Sequence, residues 1–380
     1  MTRSIPAVLM RGGTSKGLFF KAEDLPHDKR ERDILLARLI GSPDPYLRQT
    51  DGLGGATSST SKVVLISRSL REDCDVDFLF GAVAIDTGLI DWSGNCGNLS
   101  AAVGPFAITE GLVSAVEGTT LVRIWQQNIQ KRIVAHVPTT AGEVIEDGPF
   151  QEDGVPFLGA EIVLDFLDPA DAGKNGLLPT GSPADNLEVP EIGTLRVSMI
   201  NAGNPTVFVR ASSLELTGRE LPDMLNRDAR LLQRLESIRA HAAVAMGLAR
   251  SPDEATKHRP ATPKLAWVAS PAHYKSSAGV EVERANIDVL ARIVSMGQVH
   301  HAFTGTGSIA LAAAAALPGT IVCEVTRTLP GVPTRIGHPS GILTVGALLE
   351  MTKSGWRVEK AMMSRSARRL MRGLVFVPPA

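Results

Sequence analysis

The sequence predicts an α+β protein made of two similar halves, each a β-sheet or barrel wrapped around one central α-helix. Three observations carry this expectation. The chain has 380 residues, against about 100–150 for a typical domain, which points to two domains. Only 4% of the residues are aromatic while 36 are glycine, so the cores are expected to pack from small side chains and close backbone approach rather than from rings. The third observation is a weak internal repeat: Cys96-Gly97-Asn98-Leu99-Ser100-Ala101-Ala102 and Thr304-Gly305-Thr306-Gly307-Ser308-Ile309-Ala310 each set a polar residue and a glycine ahead of an Ala-rich run. Helices built this way are apolar all round and must be buried on every side. The expected domains are 1–188 and 189–380, with the last strands returning to the first domain.

In chain order, Ile5–Met10 and Leu18–Lys21 read as short strands joined by the Gly-rich turn Arg11–Gly17. Leu35–Ile40 falls in a charged helical pattern that stops near Gly41. Asp51–Lys62 is a Gly/Ser/Thr loop running into the buried strand Val63–Ile66, and a second loop, Asp91–Asn98, precedes the small-residue helix Leu99–Ile108. Thr120–Trp125 and Arg132–Val137 alternate like sheet strands, and Gly159–Phe166 adds another. Leu167–Glu191, rich in Pro, Gly, Asp and Asn, is the most linker-like stretch. Beyond it Leu195–Asn201 and Thr206–Arg210 read as strands around Ala202-Gly203-Asn204-Pro205. Arg227–Met246 reads as an amphipathic helix with the stripe Leu231, Leu232, Leu235, Ile238, Ala242 and Ala245, stopped by Gly247. Leu265–Ala269 is a strand, Ile287–Met296 a helix, and Gly305–Leu317 the second all-apolar helix.

Composition removes several function classes. The formal charge of −1 leaves no broad basic field, so nucleic acid is not an expected partner. The longest apolar run, Ile309–Leu317, ends at Pro318 and is about half of what a bilayer requires; with Arg3, Arg11 and Lys16 interrupting the start, neither a membrane span nor a secretory signal is expected. Three cysteines, Cys74, Cys96 and Cys323, make no disulfide framework and lack Cys/His metal spacing. A cytoplasmic protein with no metal and no cofactor is the expectation.

The nucleotide motifs fail on inspection. In Gly12-Gly13-Thr14-Ser15-Lys16-Gly17, Ser15 precedes the lysine and Gly17 follows it, the reverse of the phosphate loop; Gly52-Leu53-Gly54-Gly55-Ala56-Thr57 ends on Thr57 where a dinucleotide loop needs glycine. Turn chemistry, with hydroxyls bonding backbone, explains both. Cys96 is the sharpest residue, because a cysteine at a helix start meets unpaired N–H groups that stabilise a thiolate, although a cysteine is more often a small buried hydrophobe. Cys74 and Cys323 read as inert. Lys62 closes the hydroxyl-rich run Thr57–Ser61 at the edge of a buried strand, where desolvation would tune it as a base; a solvated surface lysine is the bland alternative. His300 and His301 are adjacent, which puts them on different sides of a regular element and off metal-ligand spacing. The two helix starts are also candidate carboxylate sites.

Five stretches resemble signatures of the PrpF family: Met10–Gly17, Asp51–Lys62, Asp91–Asn98, Asn201–Thr206 and His301–Gly307. This family includes 2-methylaconitate cis-trans isomerases, 4-oxalomesaconate tautomerases and methylitaconate isomerases. The resemblance implies the diaminopimelate epimerase-like fold, two pseudo-symmetric domains with a site between them. The parent epimerases use two facing cysteines; Cys96 matches the first, while Thr304 stands where the second would be, so a two-thiol racemase is not implied. The resemblance implies Lys62 as catalytic base and Cys96 as an acid or positioning group. Thr14, Ser15, Ser61, Gly97, Asn98, Asn204, Thr304, Gly305, Thr306 and Gly307 are then the substrate-binding set, with Arg11, Lys16 and Lys264 as candidate extra cations.

The expected activity is cofactor-independent allylic proton transfer on an unsaturated tricarboxylate, foremost 2-methylaconitate, with 4-oxalomesaconate tautomerisation as the near alternative. A Cys96-dependent hydrolase and a non-catalytic anion-binding accessory protein remain open. The expected partners are a small di- or tricarboxylate and, in a homodimer, a second copy of the chain.

Overall fold

The computed structural model describes residues 3–170, 176–329, 331–353 and 355–377. The chain divides into two compact units, Met1–Asp165 with Ser364–Ala380, and Phe166–Met363. The sequence reading puts the division at 188/189. The structure puts it at 165/166 because strand Asp185–Val189, in the stretch that looks like a linker, pairs antiparallel with Gly193–Ala202 and so belongs to the second unit. Residues 171–175 of that stretch lie outside the described residues.

In the first unit, β1 (Arg3–Gly12) and β2 (Ser15–Lys21) form an antiparallel hairpin, Gly12 opposite Ser15. Only Gly13 and Thr14 lie between, and Gly13 takes φ 52°, a left-handed conformation that suits glycine in such a turn. Helix α1 (Lys29–Ile40) starts on Asp28, whose carboxylate accepts the Glu31 N–H at 2.8 Å, and stops at Gly41. β3 (Lys62–Arg68) lies parallel to β2, and β4 (Val76–Val83) antiparallel to β3. Strands Gly118–Gln126 and Lys131–Thr140 extend the pairing, while Ala367–Val377 returns to lie along β1. The loop holding Gly52–Thr57 closes α1: Leu53 and Gly54 donate to the carbonyls of Leu39 and Ile40.

Helix α2 (Gly97–Thr109) is buried at every residue from Gly97 to Ile108 and packs on β1, β2 and the strands Gly118–Gln126 and Lys131–Thr140. Small residues are needed on both sides of that contact. A Cβ at Gly12 would lie 2.7 Å from the Asn98 carbonyl oxygen and 3.0 Å from the Leu99 Cα, so the sheet backbone rests directly on the helix backbone.

The second unit repeats the construction. β5 (Gly193–Ala202) and β6 (Asn204–Arg210) form a hairpin around Gly203, at φ 71°. β7 (Lys264–Ala269) runs parallel to β6 and β8 (Val289–Ser295) antiparallel to β7. Between β6 and β7, helix α3 (Ala229–Ala245) covers an apolar cluster containing Trp267, Val207 and Val209. Helix α4 (Gly305–Ala316) is buried from Gly305 to Ala315.

Three sequence expectations are corrected. Ile287–Met296 is not a helix: its core is strand β8, every residue of which is buried, paired with β7 on one side and Thr334–His338 on the other. A strand covered on both faces loses the alternation that identifies strands, and a continuous apolar run is left. On α3, Ala245 is exposed rather than in the stripe; Arg239 is buried instead, spanning Glu236 and the carbonyls of Arg259 and Thr262. His300 and His301 do not point apart, because they follow the last residue of strand Gln298–Val299 and lie in irregular chain, where their rings stack with centroids 4.7 Å apart.

Candidate active site

The first unit brings Thr14, Ser15, Lys62, Cys96 and Asn98 together where the β1–β2 turn, the start of β3 and the start of α2 meet. The β2–β3 register pairs Leu18 with Val63, so one step back Lys62 lies beside Gly17, two residues along β2 from Ser15. Lys62 is 7% exposed. Its Nζ donates to the Ser15 hydroxyl at 3.0 Å and to the Cys96 sulfur at 3.2 Å, and sits 5.6 Å from the centre of the Phe80 ring. Cys96, also 7% exposed, is the residue before α2, and its sulfur accepts the Leu99 N–H at 3.5 Å. The thiol therefore takes the capping position usually held by Ser, Thr, Asp or Asn, at the positive end of a buried helix.

Asn98 fixes the other side of this corner, its Nδ2 donating to Thr14 Oγ1 at 2.9 Å and to Ser15 Oγ at 3.4 Å. Gly97 is the first residue of α2. Ser61 stands apart in its bonding: its hydroxyl is committed to Gln49 Oε1 at 2.7 Å. Arg11 spends one guanidinium nitrogen on the carbonyls of Gly13 and Ser366. Burial pushes the thiols of both Cys74 and Cys323 up, away from reactivity, and neither lies at a site of this kind.

The second unit holds the remaining expected residues in a matching corner. Thr206 pairs with Lys264, so Asn204 stands to Lys264 as Ser15 stands to Lys62. Lys264 Nζ donates to Ser295 Oγ at 2.8 Å, and Thr304 precedes α4 with its Oγ1 accepting the Gly307 N–H at 3.2 Å. Asn204, Thr304, Thr306 and the backbone of Gly305 and Gly307 are all buried around that helix start. The thiol of one unit is a hydroxyl in the other.

Sequence reading missed Glu152 and Arg365. Both are buried, and they are 213 residues apart in the chain, joined by Arg365 Nη1 to Glu152 Oε1 at 3.3 Å. Glu152 Oε2 also accepts the Ser366 N–H at 2.8 Å and the Ser366 hydroxyl at 2.9 Å. No local pattern marks either residue; the pairing exists only because the last strands return to the first unit. A groove of about 1220 Å³ opens elsewhere in that unit, lined by residues of α1 and of the stretches 41–51 and 87–90, and includes none of Ser15, Lys62, Cys96 or Asn98. Among the described residues no cluster of three His, Cys, Asp or Glu side chains could hold a metal ion.

A duplicated corner, with a helix start laid against a hairpin and a parallel strand, is the construction of the racemase and epimerase fold. A solved structure of a probable proline racemase from Agrobacterium radiobacter matches with a TM-score of 0.55 over 98% of this chain and 93% of its own, at 12% identity, a likeness of fold alone. The family follows from the sequence match: the model for the PrpF protein family covers residues 2–378, and the chain belongs to that family. It is 53% identical to a 2-methyl-aconitate isomerase of Cupriavidus necator, over 98% of this chain and 97% of that one. It is 37% identical to a 4-oxalomesaconate tautomerase of Pseudomonas putida, over 98% and 96%. A solved structure of a methylitaconate-delta-isomerase matches with a TM-score of 0.78 and 41% identity, over 99% of this chain and 96% of that one.

Proposed function

We propose that this isomerase acts on 2-methylaconitate, moving an allylic proton so that the double bond can turn between cis and trans. The observation that carries the reading is the buried contact of Lys62 Nζ with Cys96 Sγ at 3.2 Å, beside a hydroxyl and a helix start. The high identity to a 2-methyl-aconitate isomerase over nearly the whole of both chains supports the choice of acid.

The chemistry needs little more than these groups. Lys62, as the free amine, takes a proton from the carbon next to the double bond. The electron pair left behind spreads through the double bond into a carboxylate, the former double bond becomes a single bond, and rotation about it exchanges the two geometries. A proton returned by Lys62 to the same carbon completes the cis-trans exchange, whereas a proton given by the Cys96 thiol to the far end of the allyl system leaves the double bond shifted by one position. In the second case the Lys62 ammonium returns its proton to the Cys96 thiolate through their hydrogen bond, which resets the pair. Negative charge grows on carboxylate oxygens during this step, so N–H groups at the α2 start, with Thr14, Ser15 and Asn98, stabilise the transition state more than the ground state. In the second unit, Asn204, Thr304, Thr306 and the N–H groups of Gly305 and Gly307 are proposed as a carboxylate-binding set in their own right. The hydrogen-bond partners of the Cys96 sulfur are Lys62 and the Leu99 N–H, an arrangement suited to proton transfer rather than to a histidine-activated thiol hydrolase. The cytoplasm is our reading of where it works, supported by three free thiols.

The likeness to a 4-oxalomesaconate tautomerase favours a second reading, a 1,3-allylic or keto-enol shift at the same groups. Turnover of purified protein on the two acids separates them. A preference for 2-methylaconitate by kcat/KM supports the proposal, and a preference for 4-oxalomesaconate replaces it with the second reading.

A further inference from the structure

Glu152 is a buried carboxylate that the proposed chemistry does not use. It is 4% exposed, lies in irregular chain, and is ringed by donors. Its Oε2 accepts both the N–H and the hydroxyl of Ser366, its Oε1 accepts Arg365 Nη1, and Arg11 Nη1 stands 3.8 Å from Oε2. Taking a carboxylate out of water is costly, and a buried ion pair contributes little net stability over an apolar pair of the same size. What Glu152 does for the molecule is found in the residue it grips.

Ser366 is the single residue between strands Gly355–Arg365 and Ala367–Val377, and it is fully buried. It belongs to neither strand, and its N–H is bound by the Glu152 side chain. Its carbonyl accepts the Gly13 N–H at 2.9 Å and Arg11 Nη1 at 2.9 Å, and the same Arg11 nitrogen donates to the Gly13 carbonyl at 3.0 Å. Both backbone groups of Gly13 are thus tied to Ser366, one directly and one through Arg11. Gly13 opens the two-residue turn between β1 and β2, and the pairing of β1 with the returning strand ends one residue earlier, with Gly12 opposite Ala367. Ser366 is therefore the residue that reaches the turn from beyond the end of that ladder. The next two residues are Thr14 and Ser15, whose hydroxyls meet Asn98 and, at Ser15, Lys62. Direct hydrogen bonds and two peptide links join Glu152 to the hydroxyl that Lys62 contacts, all within the first unit.

We propose that Glu152 is a positioning residue: acting through Ser366, it sets the Gly13–Thr14 turn so that the Thr14 and Ser15 hydroxyls face Asn98 and Lys62. It acts without touching substrate, and no bond is made or broken at it. Loss of its grip leaves the sheet in place and loosens the turn, and a base held to a fraction of an ångström is what proton transfer requires. The inference rests on the reading of Lys62 as the base of the proposed isomerisation.

Glu152→Gln alone would set an amide nitrogen against the buried Arg365 guanidinium and leave that charge unpaired. The test therefore compares two double variants of the full-length protein, Glu152→Gln/Arg365→Met and Glu152→Met/Arg365→Met. Both remove the buried charges, and they differ in whether an oxygen remains for Ser366 to donate to. Amide hydrogen exchange at Gly13 is expected to be roughly threefold to tenfold faster in Glu152→Met/Arg365→Met than in Glu152→Gln/Arg365→Met, the scale of one hydrogen bond. Amides of the strands Gly118–Gln126 and Lys131–Thr140, in the same unit, should exchange alike in both, which a general loosening would not allow. With folding matched by circular dichroism, kcat on 2-methylaconitate should be about tenfold lower in Glu152→Met/Arg365→Met and KM should stay within about threefold. Equal Gly13 exchange in the two variants, faster exchange that spreads to the control strands, or faster Gly13 exchange with equal kcat overturns the proposal. Should Glu152→Met/Arg365→Met fail to fold, Ser366→Ala removes one of the two bonds to Oε2 and leaves the ion pair in place: Gly13 exchange about twofold faster than in wild type supports the proposal, and wild-type exchange overturns it. Absence of wild-type turnover on either acid, with the exchange difference present, would sink the functional reading and leave the hold of Glu152 on the turn standing; turnover with equal exchange would do the reverse.

Discussion

The two corners built around Lys62 and Lys264 share a plan and differ in chemistry. Each has a hairpin turning on a glycine with positive φ, a parallel strand that begins with a buried lysine, and an all-apolar helix that begins beside it. In the first unit the lysine bonds a serine hydroxyl and the thiol that caps the helix. In the second it bonds Ser295, and the helix is capped by Thr304. A thiol can give up a proton under conditions where a hydroxyl does not. On the proposed reading the helix starts bind carboxylates, and the thiol at the cap of α2 adds a group that can exchange a proton with Lys62.

That contrast is open to direct attack. Lys62→Met should cost about 10³-fold in kcat, the scale of losing a positioned base, whereas Lys264→Met should leave kcat within about tenfold and act mainly on KM, as a binding group does. Equal kcat losses at the two lysines, measured by steady-state turnover, would dissolve the distinction. Cys96→Ser should cost about 10²-fold, within the range for a general acid, while Thr304→Ser, which keeps the capping hydroxyl, should be nearly silent in the same assay.

Smaller effects probe the scaffold itself. Gly12→Ala puts a methyl group onto the α2 backbone and should cost about 1–3 kcal/mol by denaturant unfolding, as overpacking does. In the second unit, burial alone would raise the Asp288 carboxyl, but hydrogen bonds from the Arg335 side chain and N–H outweigh it and hold the group below its usual range. A carboxyl depressed in this way contributes stability above its unfolded pKa and loses it as pH falls through the folded one. Melting temperatures should therefore separate wild type from Asp288→Asn at neutral pH and converge in acid.

How far these features were legible differs along the chain. The α2 and α4 starts could be read because a polar cap, glycine and an alanine run are consecutive, and helix signals are local. Lys62 and Cys96 could be singled out for the same reason. Strand β8 was misread because burial on both faces erases the period of two, leaving Ile287, Leu290 and Val294 at helical spacing. The domain crossing was displaced because the pairing of Asp185–Val189 with Gly193–Ala202 does not show in a Pro- and Gly-rich composition. Glu152 and Arg365 were invisible, since a buried ion pair across 213 residues leaves no trace until the strands are assembled. The stacking of His300 on His301 likewise depends on chain that follows no regular period.

Allylic proton transfer is the central claim, and solvent deuterium tests it most directly. With 2-methylaconitate in deuterated water, followed by NMR, wild type should place deuterium at the allylic carbon as it isomerises, because the hydrogens of the Lys62 ammonium exchange with solvent, and Lys62→Met should do neither. Isomerisation by wild type with no deuterium taken up, or exchange by Lys62→Met at the wild-type rate, would contradict it.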